Sequence, residues 1–176
     1  ATGKALPPCD DCHDCWPEGL APTFTGMRLG IARTIPKMDG VEPVHEIEAA
    51  WGDMIRGATR MIYAESQYFA SRRIAHAIAA RLSGEDPPEI VIVTPSSVDG
   101  WLEPLAMDTA RAKLVQALRR IDRKDRLRIY HPQTAGGAPI YVHAKVMLVD
   151  DRVLRVGSSN FNNRSMRLDT ECDVIL

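Results

Sequence analysis

Apolar positions recur along the chain with two different periods, and they divide it into short strands and longer helices. Residues 27–35 have the length and partial alternation of a strand, stopped by Pro36. Val44, Ile47, Trp51, Met54, Ile55 and Ala58 then follow at three- and four-residue spacing, the mark of an amphipathic helix. Residues 60–65 predict a strand, and Ile74, Ala77, Ile78, Arg81 and Leu82 predict a second helix closed by Gly84. The run Ile90-Val91-Ile92-Val93 has no polar break, which predicts a strand covered on both faces. A loop over 95–100 leads to a helix over 107–121, with Ala110, Leu114, Ala117, Leu118 and Ile121 on one face. Residues 127–130 predict a strand, and Gly136-Gly137 a loop. Residues 140–149 and 153–156 predict two strands joined by a tight turn at Asp150-Asp151-Arg152, and 171–176 a last strand.

Alternating strands and helices followed by a hairpin predict an α/β fold, a mixed β-sheet sandwiched between helices. The 176 residues are 45% hydrophobic and 26% charged, so disordered and fibrous classes are excluded. The net charge of −1 gives no bulk attraction to nucleic acid or anionic lipid, so anion recognition has to be local. One local excess exists: residues 111–128 hold eight basic side chains against Asp122 and Asp125, with no aromatic among them. No stretch approaches the roughly 18 apolar residues of a membrane span, and no signal peptide opens the chain. The chain begins at Ala1 and ends at Leu176 within an expected strand, so it is expected to be a piece of a longer protein.

Residues 1–25 lack any period and read as a linker or arm. They contain Cys9, Cys12, His13 and Cys15, whose spacing matches a haem-attachment string or a crowded zinc loop; the expectation is a plain linker in a reducing compartment.

The chemistry concentrates at the carboxy-terminal end. His143 and Lys145 fall on one face of an expected strand, because side chains alternate. The next strand delivers Gly157, Ser158 and Asn160 at its end, where glycine lets a ligand approach the backbone. A nucleophile, a fixed cation and two neutral donors suit a phosphoryl group, whose equatorial oxygens gain charge during transfer. Glu171 is placed to hydrogen-bond Nδ1 of His143, leaving Nε2 free to attack.

The segment from His143 to Asn160 resembles the H-x-K-x4-D-x6-G-S-x-N motif of the phospholipase D superfamily, with agreement at every specified position. Residues 63–69 are similar to the I-Y-I-E-N-Q-Y-F stretch in the C-terminal half of two-motif members, with Ala64 for Ile and Ser66 for Asn. Ile31-Ala32-Arg33-Thr34-x-Pro36 is similar to the strand that opens that half. The resemblance implies that residues 26–176 are one phospholipase D-like catalytic half-domain. His143 then forms a phosphohistidine that water or an alcohol resolves, as in phospholipid hydrolysis or transphosphatidylation. Lys145 and Asn160 hold the phosphate with Ser158 in support, Asp150 and Gly157 are structural, and Gln67 and Tyr68 border the pocket. Neither metal nor cofactor is required.

The family's site uses two such motifs, the second histidine acting as general acid. His13, His45, His76 and His131 are not followed by x-Lys, so this chain carries one motif. The resemblance therefore implies a missing N-terminal half or a second copy as partner. It also implies a phospholipid or other phosphodiester substrate, and peripheral contact at the cytoplasmic face of a membrane, with nucleic acid the lesser expectation. Alternatives are a dimeric nuclease and a non-catalytic phosphate- or lipid-binding half.

Overall fold

A computed structural model describes residues 16–96 and 103–176. The Cys9-to-Cys15 cluster and most of the 95–100 loop lie outside the described residues. The strands are β1 (Gly30–Ile35), β2 (Val44–His45), β3 (Met61–Glu65), β4 (Glu89–Val93), β5 (Leu127–Tyr130), β6 (Val146–Val149), β7 (Val153–Gly157) and β8 (Glu171–Ile175). The helices are α1 (Glu46–Gly57), α2 (Arg72–Leu82), α3 (Glu103–Ile121) and α4 (Asn163–Arg167). One eight-stranded sheet runs in the order β2-β1-β8-β7-β6-β3-β4-β5. Its β3, β4 and β5 are parallel and the other pairings antiparallel, so the mixed α/β class holds.

Local chemistry sets several element ends. Ser71 caps α2 by accepting from the Ile74 amide, and Glu46 and Glu48 occupy the first turn of α1 with Arg56 in its last, matching the helix dipole. The crossovers β3-α2-β4 and β4-α3-β5 progress the same way along the sheet, and right-handed connections put both helices on one face. That face supplies Ile62, Ala64, Ile90, Ile92, Met147 and Val149 to one core with Trp51, Ile55, Ile74, Ile78 and Leu118 of the helices. Met166 of α4 joins the same core.

The other face is not covered by a described helix. Register connects Ile31, Val174, Val156, Val146, Glu65, Val93 and Tyr130 into a row across seven strands. Within it Ile31, Val156 and Tyr130 are 62%, 44% and 54% exposed. The second helical layer expected from the sequence is thus not found among the described residues. Val91 and Val93 are only half-buried, where cover on both faces of β4 was expected. An unbroken β-branched run shows that both faces are apolar, but not what lies against each. No described helix is long and apolar enough to cross a membrane.

Candidate active site

The parallel strands β3 and β4 end at Glu65 and Val93, and the antiparallel β6 begins beside them at Val146. The crevice outside the carboxyl ends of parallel strands is where α/β sheets generally bind ligands. His143 and Lys145 lie just before β6, which is shorter than the expected 140–149 strand. They remain in extended chain, anchored where the Gly157 amide donates to the Lys145 carbonyl at 3.2 Å. The imidazole of His143 is exposed and stacks on Tyr141, ring centroids 6.2 Å apart at 18°. Lys145 is half-buried, and its ammonium donates to the His143 carbonyl at 2.8 Å. Burial lowers the pKa of Lys145; the nearby Glu171 charge opposes this and that of Arg155 adds to it.

β7 delivers the opposing loop. Asn160 is nearly buried, and its Oδ1 accepts from Ser66 Oγ at 3.3 Å, which leaves its amide hydrogens as donors. Ser66 Oγ also accepts from the Phe161 amide at 3.1 Å, and the Asn160 amide donates to Ser165 Oγ at 3.1 Å. The Ser158 hydroxyl donates to Glu171 Oε2 and accepts from the Cys172 amide at 3.0 Å.

Beneath this loop lies an ion pair, Arg155 with Asp173, both fully buried. Asp173 Oδ2 accepts from Arg155 Nε at 2.8 Å, Trp51 Nε1 at 3.1 Å and Ser159 Oγ at 2.6 Å, and Oδ1 accepts from the Ser159 amide at 3.2 Å. Arg155 also donates to the Ser159 carbonyl at 2.9 Å, and its guanidinium stands 4.5 Å over the Trp51 ring. Ser159, held by its amide, carbonyl and hydroxyl, sits between Ser158 and Asn160, so the network fixes the loop that carries both donors.

A cleft of about 220 Å³ opens beside these groups, lined by Gln67, Tyr68, Asn160, Asn162, Arg164 and Glu171 among others. Gln67 Nε2 donates to Tyr68 Oη at 3.1 Å and to Tyr141 Oη, joining the cleft to the imidazole stack. The arrangement offers one exposed imidazole and one half-buried ammonium on the chain that Tyr141 joins to a cleft with uncharged donors.

Residues 52–176 match the family model described as the cardiolipin synthase, PLD-like domain. The chain belongs to the phospholipase D-like family. This phospholipase D-like chain is 27% identical to phospholipase D zeta 2 of Arabidopsis thaliana over 77% of its length, but spans only 17% of that protein. It is 31% identical to cardiolipin synthase A of Pseudomonas putida (strain GB-1) over 70% of its length, spanning 23% of that protein. The solved structure of a phospholipase D family member, Nuc from Salmonella typhimurium, matches with TM-score 0.56 and 15% identity, covering 84% of this chain and 81% of that one. At that identity the likeness concerns the fold.

The fold brings His143, Lys145, Ser158, Asn160 and Glu171 to one rim of the phospholipase D-like sheet, with Gln67 and Tyr68 at the cleft. Two details differ from the sequence expectations, and a third adds to them. Glu171 makes no hydrogen bond with His143; its carboxylate is taken by the Ser158 hydroxyl. Gly157 does not clear a path for a ligand: a Cβ there would lie 2.1 Å from Asp173 Oδ1 and 2.6 Å from the Cys172 carbonyl, so the missing side chain admits β8. Asp150 lies at the far end of β6, where its carboxylate accepts from the Thr59, Arg60 and Met61 amides at 2.7, 2.7 and 2.9 Å. It therefore ties the β6–β7 turn to the entry of β3, as well as shaping the hairpin. Burial alone would raise its pKa, but these amides and the Thr59 hydroxyl together hold it well below the usual carboxylate range.

Sequence reasoning missed Tyr141, Arg164, Arg155 and Asp173. For Arg155 a signal existed: it shares its strand face with Val153 and Gly157, and opposite charges at core-facing positions of neighbouring strands are a pairing pattern.

Proposed function

We propose that this chain is the C-terminal catalytic half of a phospholipase D-like enzyme that hydrolyses phospholipid phosphodiesters or transfers their phosphatidyl groups. The observation that carries this reading is the convergence of His143, Lys145, Ser158, Asn160 and Glu171 on one rim. The similarity to proteins named phospholipase D and cardiolipin synthase supports phospholipid as the substrate class. In the first step His143 Nε2 attacks phosphorus, and the bond to the leaving alcohol oxygen breaks with its electron pair. Lys145 and the side-chain NH2 of Asn160 hold the equatorial oxygens as negative charge develops. When the phosphate takes the Ser158 hydroxyl, Glu171 is released to hold Nδ1 of the imidazolium. Water or an alcohol then attacks the phosphohistidine and returns His143.

The leaving oxygen needs a proton, and a second histidine supplies it from another half of the parent protein or from a second copy. The open, largely apolar row from Ile31 to Tyr130, with Glu65 within it, offers a face for that partner. Tyr63 Oη donates to Glu65 at 2.7 Å, and this bond, with burial, pushes the Tyr63 phenol up to about 12. Proximity to a membrane follows from the substrate, and the chain works there as a peripheral domain.

A second reading, a dimeric nuclease-type phosphodiesterase, is favoured by the coverage of 81% of the Nuc chain by this one domain. The deciding experiment measures molar mass by light scattering beside turnover of phosphatidylglycerol and of single-stranded DNA, with His143→Ala as control. Lipid turnover by a dimer, or by the chain combined with its N-terminal half, that vanishes in the variant upholds the proposal. DNA cleavage by a dimer, with lipid untouched, replaces it with the nuclease.

A further inference from the structure

A groove of about 550 Å³ lies at the outer edge of the sheet, between α3 and the edge strand β5, away from the catalytic cleft. Its floor is apolar, from Val115 and Ile129, and its rim carries the guanidinium groups of Arg119 and Arg120 beside His131 and Arg111, the last donating to the Pro95 and Ser96 carbonyls at 2.7 and 2.8 Å. The acidic groups nearby are engaged elsewhere. Asp122 accepts from the Arg126 and Leu127 amides at 2.9 and 2.8 Å, Asp125 pairs with Arg128 at 2.8 Å, and Glu89 pairs with Arg126 at 3.1 Å. Among the described residues Arg119, Arg120 and Arg123 have no carboxylate partner, and all three are exposed.

A chain of hydrogen bonds links the groove to the catalytic rim. His131 Nδ1 meets the Thr94 carbonyl at 2.9 Å, and Thr94 Oγ1 donates to the Gln67 carbonyl at 3.5 Å. Gln67 in turn bonds Tyr141, on which His143 stacks. Strands β5 and β6 are three sheet spacings apart, about 14 Å.

We infer that this groove is the membrane-docking surface of the chain, seated on a bilayer rich in anionic phospholipid headgroups. Unneutralised arginines attract the headgroups, and the apolar floor accepts the glycerol and upper acyl carbons beneath them. Nucleic acid is the poorer match, because residues 111–128 contain no aromatic side chain on which bases stack. The choice of a bilayer rests on the phospholipid reading above; the surface itself is tested without turnover.

The test is co-sedimentation of the chain with phosphatidylcholine vesicles, with and without phosphatidylglycerol. Binding is expected only with the anionic lipid, and to weaken as salt is raised. The Arg119→Gln/Arg120→Gln double variant removes two cations and is expected to weaken binding by roughly 30-fold. The Lys37→Gln/Arg152→Gln double variant, with the same change of net charge at remote exposed positions, is expected to bind as the parent does. Equal binding to neutral vesicles, indifference to the Arg119/Arg120 substitutions, or preferential capture of a single-stranded oligonucleotide overturns the docking surface. Anionic binding through these arginines, without lipid turnover even when the second histidine is supplied by the other half, upholds the surface and defeats the phospholipid reading of the catalytic site; lipid turnover with no vesicle preference does the reverse.

Discussion

Replacing Arg155 with Met tests whether the ion pair under the 158–160 loop organises the candidate site. Arg155 and Asp173 are both fully buried, and the substitution leaves the Asp173 carboxylate with Trp51 Nε1 and the Ser159 amide and hydroxyl but no counter-charge. Removing one member of a buried pair costs about 3–5 kcal/mol, a large share of the roughly 5–15 kcal/mol that holds a domain folded. At a urea dependence of about 2 kcal/mol per molar, the midpoint should fall by about 2 M. Asp173→Asn keeps the hydrogen-bonding shape but strands the guanidinium, so it should cost a similar amount. The Arg155→Met/Asp173→Asn double variant leaves no unpaired charge and should be clearly more stable than the sum of the singles, by about 1–3 kcal/mol. Equilibrium urea unfolding followed by far-ultraviolet circular dichroism measures all three. A loss below about 1 kcal/mol in either single variant, or simple additivity, refutes the claim that this pair holds the loop.

Three further outcomes follow from the same geometry. Gly157→Ala places a methyl 2.1 Å from Asp173 Oδ1 and 2.6 Å from the Asp173 Cα, so β7 and β8 must part; a loss of about 3 kcal/mol or more is expected by urea unfolding, and a loss under 1 kcal/mol contradicts the close approach. Asp150 titrates well below the usual carboxylate range when folded, so its contribution is present above its unfolded pKa of about 3.9 and disappears as pH falls below that. Asp150→Asn keeps a residue that tolerates the positive φ of 55°, and it should flatten the acid limb of the stability profile; an unchanged limb sinks the assignment. Val156→Asp puts a charge on the open sheet face where the parent residue is 44% exposed, so it should leave stability within about 0.5 kcal/mol. It should also abolish any self-association seen by sedimentation, and undiminished association moves the partner to another face.

The sequence was most legible where a pattern repeats. The periodic segments became β1, α1, β3, α2, β4, α3 and β5 with shifts of a few residues at their ends. Two-residue β2 and five-residue α4 are too short to show a period, and α4 depends on Asn162 capping the Ser165 amide at 2.8 Å. The strand expected to carry His143 was read too long because alternation continues through extended chain that makes few ladder bonds. The motif's fixed spacing anticipated which residues meet at one rim of the sheet, since the β6–β7 hairpin sets the offset between His143 and Asn160. Spacing carries no information on which neighbour a side chain chooses. Glu171 faces Ser158 across β7 and β8, and Gly157 is small for the sake of a strand and not a ligand. Arg155 was passed over because a charged residue in a strand is by default a solvated one. Layering was misjudged for a related reason: an apolar sheet face looks alike in sequence whether a helix of the same chain or another surface covers it.

The central claim is that His143 is the nucleophile. It is tested most directly with bis(p-nitrophenyl) phosphate, whose leaving group departs as a stable phenolate and needs no general acid. A single half is therefore expected to carry out the first step without its partner. The chain, quenched in alkali and digested, should carry a p-nitrophenyl phosphoryl group on the peptide containing His143. That adduct should match the nitrophenolate released, and both should vanish in His143→Asn. Release that survives His143→Asn, an adduct on another side chain, or no release from the folded parent chain contradicts the account.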